Sequence, residues 1–297
     1  MTAEDLTHWA AFDHPIEDSY GRKMLFDGGF FELMVMSWVD GDMAAIHDHG
    51  YTQWGAVKVF GPTEHAIFKL EDGFLTTAER RQFAPNSVVA VSHELIHQMG
   101  NVGQQPYLTL HLYGCYERDG CVTGDARLYE LDENSIQITS GGVFYALPED
   151  AVDERRAAPA ADFPTTLRFK VELLERLLRS SGGLERGSLQ CPRERRLAKE
   201  LMQGATWERA GFELDRMRQR SALRFDRYVE ILQQELRAAA RLQAKLLRAG
   251  VIRSELAPHQ HRLAELLEIE DLAVFADGYL ELIGSAFSID LLTEQAA

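Results

Sequence analysis

The feature that most constrains this chain is a change of hydrophobic period near residue 150. Before it, short β-rich runs recur at 30–38, 52–60, 65–70, 87–93 and 107–113, with two weaker ones at 126–131 and 142–147. Turn residues bound them, as in Asp27-Gly28-Gly29, Gly61-Pro62, Glu71-Asp72-Gly73 and Pro85-Asn86. Closely spaced short strands with turn signals between them predict an all-β sandwich or barrel. After it the apolar period is helical. Thr165 or Thr166 can cap a helix running to Leu178, stopped by Gly182-Gly183, and Pro192 suits the first turn of another that ends near Gly204. The longest candidate spans 222–249, with Tyr228, Leu232, Leu236, Ala239, Gln243 and Leu246 three or four apart and Gly250 as its stop. A last helix is expected over 265–287. The expected architecture is two-part α+β: a β-barrel over 1–150, a linker rich in alanine and proline over 151–164, and an all-α region over 165–297. An apolar stripe as long as that of 222–249 is expected to pack on the β domain or on a second copy, giving a homo-oligomer through the C-terminal helices.

Charge and cysteines narrow the class of function. The net charge of −15 falls wholly within residues 1–150, the rest summing to zero. An acidic half with the chemistry-bearing residues argues against nucleic acid, which needs a basic face. Met1-Thr-Ala-Glu-Asp-Leu-Thr-His8 has neither the basic start nor the apolar run of a signal peptide, and no stretch reads as a membrane span. Three cysteines, Cys115, Cys121 and Cys191, make no disulfide framework, and no second pair makes Cys115 and Cys121 a zinc knuckle. A cytoplasmic protein is expected, with no membrane partner.

Within the β half, His47-Asp48-His49 stands out. Two histidines at i and i+2 on a strand share a face, and a third from a later strand, His97, can close one side of a metal ion. The open side is what separates a catalytic site from a structural one. Three neutral imidazoles leave the ion its full charge, which favours an anionic group such as thiolate. They suit Zn(II), Ni(II) or Cu(II) as well as iron.

These residues sit in a longer pattern. Gly41, then His47-x-His49 after five residues and Gly61 twelve on, resembles the first cupin motif without its glutamate. Pro85, His97 and Asn101 resemble the second. Three histidines with no carboxylate is the pattern of thiol dioxygenases, and the chain is similar to the cysteine dioxygenase family over about residues 20–115. Tyr20-Gly-Arg22, Ser37-Trp38-x-x-Gly41, Thr109 and Leu110-His111-Leu112-Tyr113 stand where that family has its pocket residues. The resemblance implies a cupin β-barrel holding Fe(II) on His47, His49 and His97. It also implies that Arg22 and Tyr20 bind substrate and that His111 and Tyr113 stand beside the metal.

The chemistry agrees with those roles. A guanidinium fork suits a substrate carboxylate. A phenol can donate to bound oxygen or to a developing sulfinate. Alternation puts Thr109, His111 and Tyr113 on one face, where they can form a hydrogen-bond chain. Counting directly from His49, the family's tyrosine-linking cysteine falls on Trp54, so no thioether to Tyr113 is expected and the indole is expected to line, and crowd, the pocket. The expected function is Fe(II)- and O₂-dependent oxidation of the sulfur of cysteine or a related small thiol to a sulfinate. Two alternatives stand beside it. One is an iron cupin that converts a cysteine-derived thiol to another product in a biosynthetic pathway, and the other a non-catalytic cupin that senses a ligand. The remaining histidines read blandly. His65 and His93 look structural or exposed, and His259 and His261 would lie too far apart around a helix to share an ion. Met34, Met36 and Met43 look like core fillers.

Overall fold

The computed structural model describes residues 1–16, 18–117, 121–145, 147–202, 222–251, 260–279 and 281–282. The chain divides into two compact units, Met1–Ala161 and Asp162–Ala297.

The first unit is a β fold of facing sheets. A 3-10 turn, Glu4–Trp9, precedes β1 (Gly21–Asp27), β2 (Phe31–Trp38), β3 (Trp54–Val59), β4 (Thr63–Glu71), β5 (Phe74–Phe83), β6 (Val88–Ser92), β7 (Ile96–Gly100), β8 (Tyr107–Gly114), β9 (Ala126–Glu130), β10 (Ser135–Thr139), β11 (Glu154–Ala157) and β12 (Ala160–Ala161). One sheet runs β1-β2-β8-β3-β6, a second β12-β5-β4-β7 and a third β11-β10-β9. Met34, Met36, Val57 and Val59 on the first sheet share a core with Ala44 and Met99. The back of that sheet is covered too: Leu6 packs with Val35 and Leu108. That is why β8 carries leucines on its outer face and Thr109, His111 and Tyr113 on its inner one, two period-two patterns interleaved.

The segment carrying His47 joins the second and third sheets. His47 exchanges backbone hydrogen bonds with His97 on one side, at 3.0 and 2.9 Å. On the other, Tyr129 N donates to Ile46 O at 2.9 Å and Asp48 N to Arg127 O at 3.0 Å. It does a strand's work through isolated bridges to His97 and Leu128 rather than as a regular strand.

Several expectations are corrected. The weak run at 142–147 is not a strand, because its amides go to side chains: Val143 N donates to Tyr20 Oη at 3.1 Å and Tyr145 N to Ser19 Oγ at 2.9 Å. The segment 151–164, expected as a linker, contains β11, which pairs with β10, and β12, which runs parallel to β5. All of β11 is exposed, so it shows no buried-face alternation to read.

The second unit contains α1 (Phe163–Ser181), α2 (Gly183–Arg186), α3 (Pro192–Met202), α4 (Ala222–Arg248) and α5 (Gln260–Leu267). Asp162, rather than a threonine, caps α1, its carboxylate accepting from Thr165 N at 3.0 Å. Gly182, left-handed at φ 64°, closes it. The helix expected over 265–287 is broken after α5. The Asp271 carboxylate accepts from Ala273 N at 2.9 Å and Val274 N at 3.1 Å and starts a new helix over 272–279. Phe287 and His259 lie outside the described residues. α1 packs along α3 and α4, and α4 along α5. Leu232, Leu236, Ala239, Gln243 and Leu246 are all buried. The unit's own helices therefore meet the apolar stripe that the sequence led us to expect on the β domain or a second copy. No helix among the described residues is long and apolar enough to cross a membrane.

Candidate metal centre

Strand register builds the site. Arg22 pairs with Met36, which pairs with Thr109; Met34 pairs with His111, and Glu32 with Tyr113. Directly paired residues share a face, so Arg22, Thr109, His111 and Tyr113 project from one sheet into one cleft. The same register places Gly55 opposite Tyr113 and Trp54 opposite Gly114. Trp54 therefore turns outward, its indole so close over Gly114 that a Cβ there would lie 2.1 Å from it. This corrects the sequence expectation: Trp54 does not line the cleft, and the residue facing Tyr113 is Gly55, one position further on. Counting from His49 could not reveal this, because a one-residue change of register exchanges faces.

The cleft holds about 510 Å³ of free space counted out to its mouth. Tyr20, Arg22, His47, His49, His97, His111 and Tyr113 all border it. Ring nitrogens of His47, His49 and His97 lie within 4.8 Å of one another, the one cluster of metal-ligating type among the described residues. All three side chains are buried.

A metal ion fits what these nitrogens lack. His47 Nδ1 is 2.8 Å from the Ala45 carbonyl, which can only accept, so Nδ1 carries the hydrogen and Nε2 a lone pair. Both His49 nitrogens are buried and among the described residues neither makes a close hydrogen bond, although the Leu95 backbone lies near enough to act on the ring; a buried group left without a partner costs about 1–3 kcal/mol unless something binds there. His97 Nε2 points at His47 Nε2 from 3.1 Å. Burial holds His47 down to about 4 and His111 to about 3. Burial and then neighbouring imidazoles hold His49 and His97 well below the usual histidine range. All are neutral at pH 7, the form that ligates. Gly50, at φ 51°, bends the chain after His49 where a Cβ would strike Gly124 O. Asp48, between the two histidines, accepts from Arg127 N and Gly50 N and faces the Arg127 guanidinium, so it holds the loop.

A relay enters from the other side. Trp38 Nε1 donates to Thr109 Oγ1 at 2.8 Å, Thr109 Oγ1 is 2.7 Å from His111 Nε2, and His111 Nδ1 is 2.7 Å from Tyr113 Oη. Indole only donates, so the Thr109 hydroxyl hydrogen is left for His111 Nε2. His111 Nδ1–H then donates to Tyr113, and the phenolic hydrogen is free to face the cleft. The opposite polarity would strand the Thr109 hydrogen without an acceptor. Burial raises the Tyr113 phenol above its usual range, with Tyr20 adding to the rise and Arg22 opposing it, so it remains a donor at neutral pH.

Arg22 is half-buried. Its Nε donates to Met34 Sδ at 3.2 Å and its Nη2 to Thr123 Oγ1 at 3.3 Å. Among the described residues no carboxylate pairs with it. Thr123 in turn donates to the buried Glu32 at 2.9 Å, and Glu32 also accepts from Val122 N at 3.1 Å. Tyr20 stacks on Trp38 with ring centroids 4.7 Å apart and accepts from Val143 N.

Sequence reading missed two participants and the role of a third. His65 and Thr123 reach the site through contacts far apart in the chain, with no local signal. Trp38 was placed by its motif, but its role at the head of the relay follows from the register that sets Met36 beside Thr109.

Residues 2–116 match the profile of the family described as cysteine dioxygenase type I. The chain is 25% identical over 115 residues to cysteine dioxygenase type 1 of Homo sapiens and equally to that of Pongo abelii, matches covering 37% of this chain. The match spans 58% of the length of those relatives. Similar solved structures include the cupin domain of Cnp3 from Schizosaccharomyces pombe, 12% identical with a TM-score of 0.28, covering 33% of this chain and 65% of that one. An RmlC-like cupin from Desulfovibrio desulfuricans is 15% identical with a TM-score of 0.29, covering 38% and 96%. The helical unit lies beyond the residues that the family profile matches.

Proposed function

We propose that this chain, a cysteine dioxygenase-like cupin through its N-terminal unit, oxidises the sulfur of a small thiol bearing a carboxylate, with O₂ supplying both oxygen atoms of a sulfinate. The observation that carries this reading is one cleft containing three neutral buried imidazoles, a guanidinium with no carboxylate partner among the described residues and a phenol held as a donor. His47, His49 and His97 would hold the ion, and the family resemblance makes it Fe(II). When bound, Fe(II) supplies the redox partner for O₂ and a cation that favours the thiolate form of the substrate.

The chain's own residues do the rest. Arg22 binds the substrate carboxylate through a planar fork, and its contact with Thr123 sets the direction of that fork. Tyr113 keeps its proton and donates a hydrogen bond to oxygen as negative charge grows there, while His111 and Thr109 hold its ring and hydrogen in place. Met34, Met36 and Met99 border the cleft and exclude water from the reacting sulfur. A ligand-sensing cupin would have no use for a relay ending in a phenol. Location in the cytoplasm, motivated by cysteine usage, is part of the same proposal.

The test is O₂ uptake by the iron-loaded protein with cysteine, cysteamine, homocysteine and 3-mercaptopropionate, together with product mass. Consumption of one O₂ per thiol and a gain of two oxygen atoms is expected for a carboxylate-bearing thiol. Uptake without that gain would favour a different sulfur product, and no uptake with any of them would refute the reading.

A further inference from the structure

His65 does not border the cleft, yet it touches the candidate ligand set. It is buried, with its Nε2 2.8 Å from Nδ1 of His97. Register explains the meeting. His65 pairs with Met99 and Ile67 with His97, so His65 and His97 are diagonal neighbours on one face of the β4–β7 pair. The Phe83 ring, 4.9 Å away by centroids, holds the His65 ring on its far side. The remaining nitrogen, His65 Nδ1, is buried and has no partner. Among the described residues the His65–His97 contact is thus the one hydrogen bond that His65 makes.

We infer that His65 is a positioning residue that sets the tautomer of His97 and carries its hydrogen between two states. A neutral imidazole has one N–H and one lone pair. His47 presents a lone pair at Nε2, because its Nδ1 faces the Ala45 carbonyl. With no ion between them, His97 Nε2–H donates across the 3.1 Å gap to that lone pair. His97 Nδ1 is then an acceptor and needs a donor, which His65 Nε2–H supplies. The chain His65 to His97 to His47 to Ala45 O is satisfied throughout. For His97 to ligate an ion through Nε2, that nitrogen must give up its hydrogen and Nδ1 must carry one. The contact with His65 then reverses: Nδ1–H of His97 donates, Nε2 of His65 accepts, and the His65 hydrogen moves to Nδ1. The number of protons on the pair is unchanged.

A backbone carbonyl or a carboxylate in this place could only accept, and would serve the ion-bound state alone. An imidazole can do both, so the contact between His65 Nε2 and His97 Nδ1 is a hydrogen bond whether or not the ion is bound, and only the far nitrogen of His65 is left without a partner. Partners behind a ligating histidine typically change metal affinity 10- to 100-fold when removed.

The inference rests on the metal centre and not on thiol oxidation, so Zn(II) is the probe. Zn(II) affinity is measured by competition with a chromophoric chelator for the wild type, His65→Leu and His65→Gln. Histidine tautomers are read by long-range ¹H–¹⁵N NMR in metal-free and Zn(II)-loaded wild-type protein. His65→Leu is expected to weaken Zn(II) binding about 10- to 100-fold. His65→Gln, whose amide can accept or donate at the same place, is expected to recover most of it. In the wild type the His97 hydrogen is expected on Nε2 without the ion and on Nδ1 with it. Wild-type affinity in His65→Leu would overturn the inference, as would Gln and Leu variants equally weak yet melting like the wild type. An unchanged His97 tautomer on loading would do so too, whether or not either variant folds. A wild type that takes up no Zn(II) would remove the metal centre and this inference together, whereas failure to oxidise thiols with normal Zn(II) binding would touch only the proposed function.

Discussion

Replacing Arg22 by alanine should separate substrates by their carboxylate. Of the three guanidinium nitrogens, Nε is spent on a thioether and Nη2 on a hydroxyl, while Nη1 makes no hydrogen bond among the described residues. Among the described residues the positive charge therefore has no anionic partner, and a substrate carboxylate would be its first. At a charge separation of about 4 Å and an effective dielectric near 20, that pair is worth roughly 4 kcal/mol. Arg22 is only half-buried, and solvent screening reduces the figure to about 2–3 kcal/mol. Cysteine should accordingly lose roughly 30- to 150-fold in kcat/KM, and cysteamine, which lacks the carboxylate, should lose little. Arg22→Lys keeps the charge but not the fork and should fall between. The assay is steady-state O₂ uptake with both thiols across the three proteins. Equal losses on the two substrates, or none on cysteine, would refute the assignment, because either result would mean that the guanidinium does not read the carboxylate.

Three further outcomes are expected. Tyr113→Phe and Thr109→Val should each lower kcat, by about 10²-fold for the phenol, with KM little changed, because both act on the donor rather than on the resting substrate; intact mass should meanwhile show no thioether at Tyr113, since the residue opposite it is Gly55. The metal-free protein should lose stability on acidification: His47 and His65 have folded values near 4 against about 6.5 unfolded, so the unfolded chain takes up protons first. The stability these neutral rings contribute, roughly 3 kcal/mol for His47 alone, is present above pH 6.5 and lost as pH falls toward 4, and a melting temperature that stays level over that window would refute it. A chain ending at Ala161 keeps β12 and every residue named in the site, and should hold Zn(II) as the full chain does; loss of binding would give the helical unit a part in the centre.

What the sequence by itself determined is what short-range periodicity and spacing can encode. The change of period near residue 150 announced a β unit followed by a helical one, and alternation in Thr109-Leu-His-Leu-Tyr113 announced the relay, since period two is a property of each strand alone. That His47, His49 and His97 would meet, with Arg22 and Tyr20 beside the same cleft, was legible through spacing and the family resemblance. Only the tertiary structure decided which way Trp54 faces. That depends on the register of β3 against β8, which sets Gly55 rather than Trp54 beside Tyr113. β11 and β12 stayed hidden for a related reason: edge strands without a buried face leave no hydrophobic pattern. His65 and Thr123 were invisible because each reaches the site through a contact with a residue 32 or 101 positions away. A hydrogen bond of that kind leaves no trace in local composition, and it exists only once the sheets have brought the two side chains together.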